Sequence, residues 1–86
     1  MNDDQVQARI EELERDEQRL LSDEQAAADT AGTERLAADA SRLEEVRVEL
    51  DRLWDYLRQR RALRAAGQDP DGAQMRDART VERYLG

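Results

Sequence analysis

Carboxylates and guanidinium groups are the only reactive side chains this sequence offers in number. Acids gather as Glu11, Glu12, Glu14, Asp16 and Glu17 in the first third, and as Glu44, Glu45, Glu49 and Asp51 further along. Helices presenting such groups inward could hold a two-metal centre, but those sites pair Glu with a His three residues on, and the chain has no His. Asp69-Pro70-Asp71-Gly72 has the look of the start of a calcium loop, yet the later ligand positions and the closing Glu are missing. No metal and no cofactor are expected. The chain also lacks Cys and Lys, which removes the thiolate nucleophile, the Schiff-base amine and the phosphate-loop lysine. The inventory points away from an enzyme.

The arginine cluster Arg58-Gln59-Arg60-Arg61-Ala62-Leu63-Arg64 is the remaining chemical candidate. Guanidinium groups pair with carboxylate or phosphate in a fork, so Arg58, Arg60, Arg61 and Arg64 could meet an acidic protein, a phosphate group or RNA. The plainer explanation is that they complement the carbonyl end of a helix and pair with acids near the start of the chain. A net charge of -7 disfavours a general nucleic-acid binder, whose footprint is a broad basic excess. That all basic residues are Arg fits the codon usage of a GC-rich genome, because they are dispersed along the chain.

These groups need helices to position them. Leu36, Leu43, Leu50 and Leu57 recur every seven residues beside Val46, Leu53 and Trp54, a coiled-coil-like seam that requires a partner helix. An earlier stripe, Val6, Ile10, Leu13, Glu17, Leu20, has the spacing of one helix face. Asn2, Asp3 and Asp4 can each cap that first helix. Its end is open, since Ser22-Asp23-Glu24-Gln25 has the form of a capping box while the alanines after it favour continuation. Gly32 and Thr33 place a turn near 30–33. Two helices antiparallel about this turn would face each other at positions summing to roughly 63. Val6 then meets Leu57, Ile10 meets Leu53, Leu13 meets Leu50, Glu17 meets Val46 and Leu20 meets Leu43; Glu17 is the single candidate for a buried acid, but is expected near the surface beside Arg47 or another arginine.

The second helix should stop at Gly67, and Gln68-Asp69-Pro70-Asp71-Gly72 should turn the chain. Thr80 to Leu85 reads as a short capped helix whose apolar side could dock on the hairpin or on a partner. The expected organisation is a helical hairpin over 1–67 and a tail over 68–86 with a short helix near 80–85.

Several of these blocks together resemble the actinobacterial domain of unknown function 2630 family. They are Ile10-Glu11-Glu12-Leu13, then Val48-Glu49-Leu50-Asp51-Arg52-Leu53-Trp54-Asp55-Tyr56-Leu57-Arg58-Gln59-Arg60-Arg61-Ala62, then Asp69-Pro70-Asp71 and Val81-Glu82-Arg83-Tyr84. The chain departs from the family at Gln18, where His is frequent, and in a longer connector from Ser22 to Thr33. The resemblance implies a short actinobacterial cytoplasmic protein and assigns no activity.

The fold expected is all-α: an antiparallel hairpin with a long second helix plus a short C-terminal helix, assembling as a homodimeric bundle. A chain of 86 residues supports this expectation, because a domain that small buries only about 60% of its unfolded surface. The function expected is a non-enzymatic interaction module with Trp54, Arg58, Arg60, Arg61 and Arg64 as its candidate surface, open to a protein partner. The alternative is an RNA-binding or ribosome-associated accessory protein using the same arginines. No apolar run of membrane-spanning length and no basic-then-apolar leader is seen, so a cytoplasmic location without membrane contact is expected.

Overall fold

The structure, a computed structural model, describes the backbone of residues 1–27 and 33–85 and the side chains of residues 1–22 and 37–81. Its regular elements among these residues are helical: α1 over Asp3–Ala27, α2 over Thr33–Ala65, a 3-10 turn over Pro70–Gly72 and α3 over Ala78–Leu85. The protein is all-α. The turn expected near 30–33 lies outside the described residues except for Thr33, which is already helical.

Asn2 is the residue that caps α1. Its Oδ1 accepts the Gln5 backbone N–H at 2.8 Å, and Gln5 Oε1 accepts the Asn2 backbone N–H at 2.9 Å, so two otherwise orphaned donors are satisfied reciprocally. Asp3 and Asp4 follow in the first turn, where carboxylates meet the positive end of the helix dipole. The helix then runs through Ser22-Asp23-Glu24-Gln25 without a break. Continuation wins there because the alanines downstream have the strongest helix propensity.

A glycine stop closes α2. Gly67 adopts φ 75, Gln68 N–H donates to the Leu63 carbonyl at 2.8 Å, and Gly67 N–H donates to the Arg64 carbonyl at 3.1 Å. Those are the two bonds of a Schellman ending. The chain next turns at Pro70–Gly72, where Asp69 Oδ1 accepts the Asp71 N–H at 2.9 Å. The short helix begins two residues before the expected Thr80. Asp77 Oδ1 caps it by accepting the Thr80 N–H at 2.7 Å, a bond that also holds the Asp77 carboxyl below its usual pKa.

Val6, Ile10, Leu13 and Leu20 of α1 form one core with Leu43, Val46, Leu50, Leu53 and Leu57 of α2. Contacts between the two helices join low numbers of α1 to high numbers of α2. Asp3 meets Arg60 and Glu17 meets Arg47, with position numbers summing to 63 and 64. Arg9–Glu49 and Asp16–Arg42 tie the same helices along a neighbouring edge. Beyond the 3-10 turn, Ala73 joins the core, and Val81 of α3 is buried while α3 lies against α2.

The result is long and thin. Its principal extents are 55 × 25 × 16 Å and its radius of gyration is 16.1 Å, against about 12 Å for a compact globule of this length.

Candidate interaction surface

The last turns of α2 carry the side chains singled out in the sequence, and they separate into two sets. Arg60 and Arg64, four apart, share one helix edge and converge on Asp3 at the start of α1. Arg60 is buried, at 4% exposure: Nε donates to Asp3 at 2.6 Å, and Nη1 donates to Asp71 at 2.9 Å and to the Pro70 carbonyl at 3.3 Å. Its guanidinium also stands 6.0 Å from the centre of the Tyr56 ring, within cation–π range. Hydrogen bonds from Arg64 and then Arg60 lower the Asp3 pKa to about 2, while Asp3 and Asp71 raise that of Arg60. Arg60 thus ties together the start of α1, the end of α2 and the 3-10 turn. It does not stand on the surface where an external anion would meet it.

Arg58 and Arg61 behave otherwise. Both are exposed, and neither has an ion-pair partner among the described residues. They share a stripe with Trp54 at spacings of four and three, the repeat of one helix face. Trp54 is half-buried and packs against the edge of the core. Of the five candidates, the structure therefore leaves Trp54, Arg58 and Arg61 together on an accessible face, keeps Arg60 inside, and leaves Arg64 exposed but held by Asp3.

A third set was not singled out from sequence. Arg52, Asp55, Tyr56 and Gln59 line the opposite side of α2 and bind the chain segments that cross it. Tyr56 Oη donates to the Met1 carbonyl at 3.1 Å. Gln59 Nε2 donates to the Gln74 carbonyl at 2.7 Å, and Gln59 Oε1 accepts the Gln74 N–H at 3.1 Å, so one amide serves both backbone groups of Gln74. Arg52 Nε donates to the Arg76 carbonyl at 2.8 Å. Asp55, with a side chain 3% exposed, accepts a forked pair of bonds from Arg76 at 2.9 and 2.6 Å and a third from Gln59 at 3.0 Å. The only local signal for this strap was the spacing of Arg52, Asp55 and Gln59 at three and four, a polar stripe indistinguishable in sequence from a solvated one.

On the same side, an open groove of about 500 Å³ is lined by Met1, Val48, Leu53 and Met75 and rimmed by Arg9 and Glu49. Among the described residues, Met1 and Met75 are the large apolar side chains left most open, at 52% and 40%. The rim charges are already engaged with each other, Arg9 Nε donating to Glu49 at 3.0 Å. Near the opposite edge, Glu17 lies toward the surface with Arg47 Nε at 3.3 Å. Among the described residues no helix is long and apolar enough to cross a membrane.

Comparison with known proteins agrees with the family resemblance. Three curated relatives, one from Mycobacterium bovis and two from Mycobacterium tuberculosis strains, are all named uncharacterized proteins; each is 50% identical over 48 residues, covering 56% of this chain. The chain spans about half the length of these relatives, 55% in each case. No solved structure matches it. Residues 2–86 match the family described as "Protein of unknown function (DUF2630)", and the chain belongs to that family.

Proposed function

We propose that this chain is a non-enzymatic interaction module: an antiparallel hairpin of α1 and α2, strapped by its tail, that assembles with a second copy into a coiled-coil-like bundle. The observation that carries this reading is the thinness of the molecule. With a shortest extent of 16 Å, the α1–α2 layer encloses Val6, Ile10, Leu13 and Val46 fully but has no third layer to cover the apolar surface at its edge. Leu43 and Leu50 are buried, at 6% and 8% exposure, and among the apolar side chains left half-buried at the edge of this layer is Trp54. Covering this side with another helical layer removes apolar surface from water at about 25 cal/mol per Å², which supplies what a core this small lacks.

The lack of His, Cys and Lys supports a binding role over a catalytic one, because the imidazole base and the thiolate and amine nucleophiles are missing from the sequence itself. Analytical ultracentrifugation of the full chain through the micromolar range tests the assembly. A dimer that dissociates on dilution is expected, and a folded monomer throughout would overturn it.

A further inference from the structure

Gly72 is a glycine that the fold does not require. Gly67 is the described glycine with a positive φ, and a Cβ added at Gly72 would meet only Leu63 Cδ1 at 3.7 Å, an ordinary van der Waals contact. Alanine would fit. What a glycine does alter at this position is the reactivity of the residue before it. Next to Asp71, an amide nitrogen unshielded by a side chain can approach the aspartate's own carboxyl carbon.

That approach leads to a reaction the chain carries out on itself. The Gly72 nitrogen attacks Asp71 Cγ, an N–C bond forms, and the carboxyl OH leaves with the amide proton as water, giving a five-membered succinimide. Water then adds back. Cleavage of the new N–Cγ bond restores aspartate; cleavage of the original peptide C–N bond gives isoaspartate, with the chain running through Cβ and Cγ and the carboxylate directly on Cα. One water leaves and one returns, and nothing is oxidised or reduced. Asp69, the neighbouring acid, cannot follow this course, because Pro70 has no N–H to give.

In the folded chain both reacting groups are engaged elsewhere. Gly72 N–H donates to the Asp69 carbonyl at 3.1 Å, and Asp71 Oδ1 accepts from Arg60 Nη1 at 2.9 Å, the same nitrogen that donates to the Pro70 carbonyl at 3.3 Å. Ring closure needs the carboxyl to swing onto the Gly72 nitrogen and that nitrogen to leave its turn, so these bonds must open first. The Asp71 side chain is otherwise 77% exposed, and opening so polar an edge is a local event. We propose that Asp71–Gly72 is a site of spontaneous backbone isomerisation and that Arg60 is its gate, closed while the guanidinium holds the 3-10 turn against α2 and open in the molecules whose turn has come away. The product alters the tail. Isoaspartate adds one carbon to the backbone inside the turn, beneath the 3.1 Å bond from Ala73 N–H to the Pro70 carbonyl and just before Gln74, which Gln59 pins at both backbone groups. Its carboxylate, now on Cα, reaches one carbon less far toward Arg60.

The tryptic peptide from Ala65 to Arg76 reads the site, since Asp71 is its only acid followed by an N–H. Isoaspartate appears as a second chromatographic peak of unchanged mass, a substrate for isoaspartyl methyltransferase, after prolonged incubation of the full chain at neutral pH. Wild type in native buffer is expected to form it at least about tenfold more slowly than in urea, and Arg60→Ala about tenfold faster than wild type. Gly72→Ala is expected to melt no lower than wild type and to suppress the peak. Where Arg60→Ala does not fold, Arg60→Lys replaces it and is expected between the wild-type and urea rates, because one ammonium cannot hold Asp3 and Asp71 as the guanidinium does. No second peak in urea would remove the site. Equal rates in native buffer and urea, or a folded Arg60 variant that isomerises no faster than wild type, would remove the gate, and a Gly72→Ala protein melting well below wild type would return Gly72 to the fold.

Discussion

Arg60 and Asp3, 57 residues apart in sequence, meet at 2.6 Å and fix the start of α1 against the end of α2. Arg60 also reaches Asp71 at 2.9 Å, so one guanidinium joins three chain segments. Replacing Arg60 by Ala should lower the thermal midpoint and loosen both the first turn of α1 and the 3-10 turn. Hydrogen exchange reads this as faster exchange at Gln5, Val6 and Asp71 together. Arg58→Ala, removing an exposed side chain with no ion-pair partner among the described residues, should leave those amides unchanged.

The same contact sets an acid limit. The Asp3 pKa falls from 3.8 to about 2 because Arg64 and Arg60 favour its charged form. A carboxyl whose folded pKa is depressed binds its proton more weakly when folded than when unfolded, so acidification favours the unfolded chain. Its contribution is therefore complete above the unfolded value, and is lost as pH falls from 3.8 through about 2. Asp3→Asn should be less stable than wild type at neutral pH and should converge with it across that window. Thermal melts of both proteins between pH 7 and pH 2 check the convergence.

The tail strap depends on a buried ion pair. Arg76→Ala would leave the Asp55 carboxylate, 3% exposed, with Gln59 as its remaining side-chain donor. Breaking such a pair from one side costs about 3 kcal/mol, less whatever is recovered by the tail lifting to admit water. Chemical denaturation gives the magnitude, and limited proteolysis between Ala73 and Ala78 shows whether the tail has lifted. Arg76→Lys should recover only part of the loss, because a lysine cannot reproduce the forked pair.

Gly67→Ala isolates a backbone effect. A Cβ there meets nothing within 4 Å, so the cost arises from φ 75 alone. About 1 kcal/mol of destabilisation is expected, with helix content nearly unchanged.

Leu57→Ala, by contrast, removes a core side chain that is 1% exposed and should cost about 3 kcal/mol. Comparison of these two variants by urea denaturation separates local backbone strain from core packing.

Features governed by local rules were legible in the sequence. Gly67 ends α2 because a left-handed residue after a helix is nearly free only for glycine, and Asp69-Pro70-Asp71-Gly72 turns because proline and aspartate favour turn geometry. The buried stripe from Val6 to Leu20 follows from helical periodicity, and Glu17 beside Arg47 follows from continuing that stripe across to α2. That the arginine cluster pairs with acids near the start of the chain was legible, and Arg60 and Arg64 both meet Asp3; which arginine is drawn inside was not. Adjacent arginines look alike in sequence, yet a 100° rotation separates Arg60, drawn inside by Asp3 and Asp71, from Arg61, which stays exposed. Nor could any local pattern show that Gln59 would bond both backbone groups of Gln74, because that contact depends on where the tail returns. Asp77 was missed as a cap for a simpler reason: Thr80 has the same capping chemistry and stands three residues later.

Trp54 is the only tryptophan in the chain, so its fluorescence reports the proposed assembly without ambiguity. The most direct measurement is its emission maximum as the protein is diluted through the micromolar range, with helicity followed in parallel. The account expects a shift to longer wavelength on dilution, at the concentration where the dimer dissociates and with α-helical signal preserved. An emission maximum that stays constant while the dimer dissociates would contradict the placement of Trp54 in the interface.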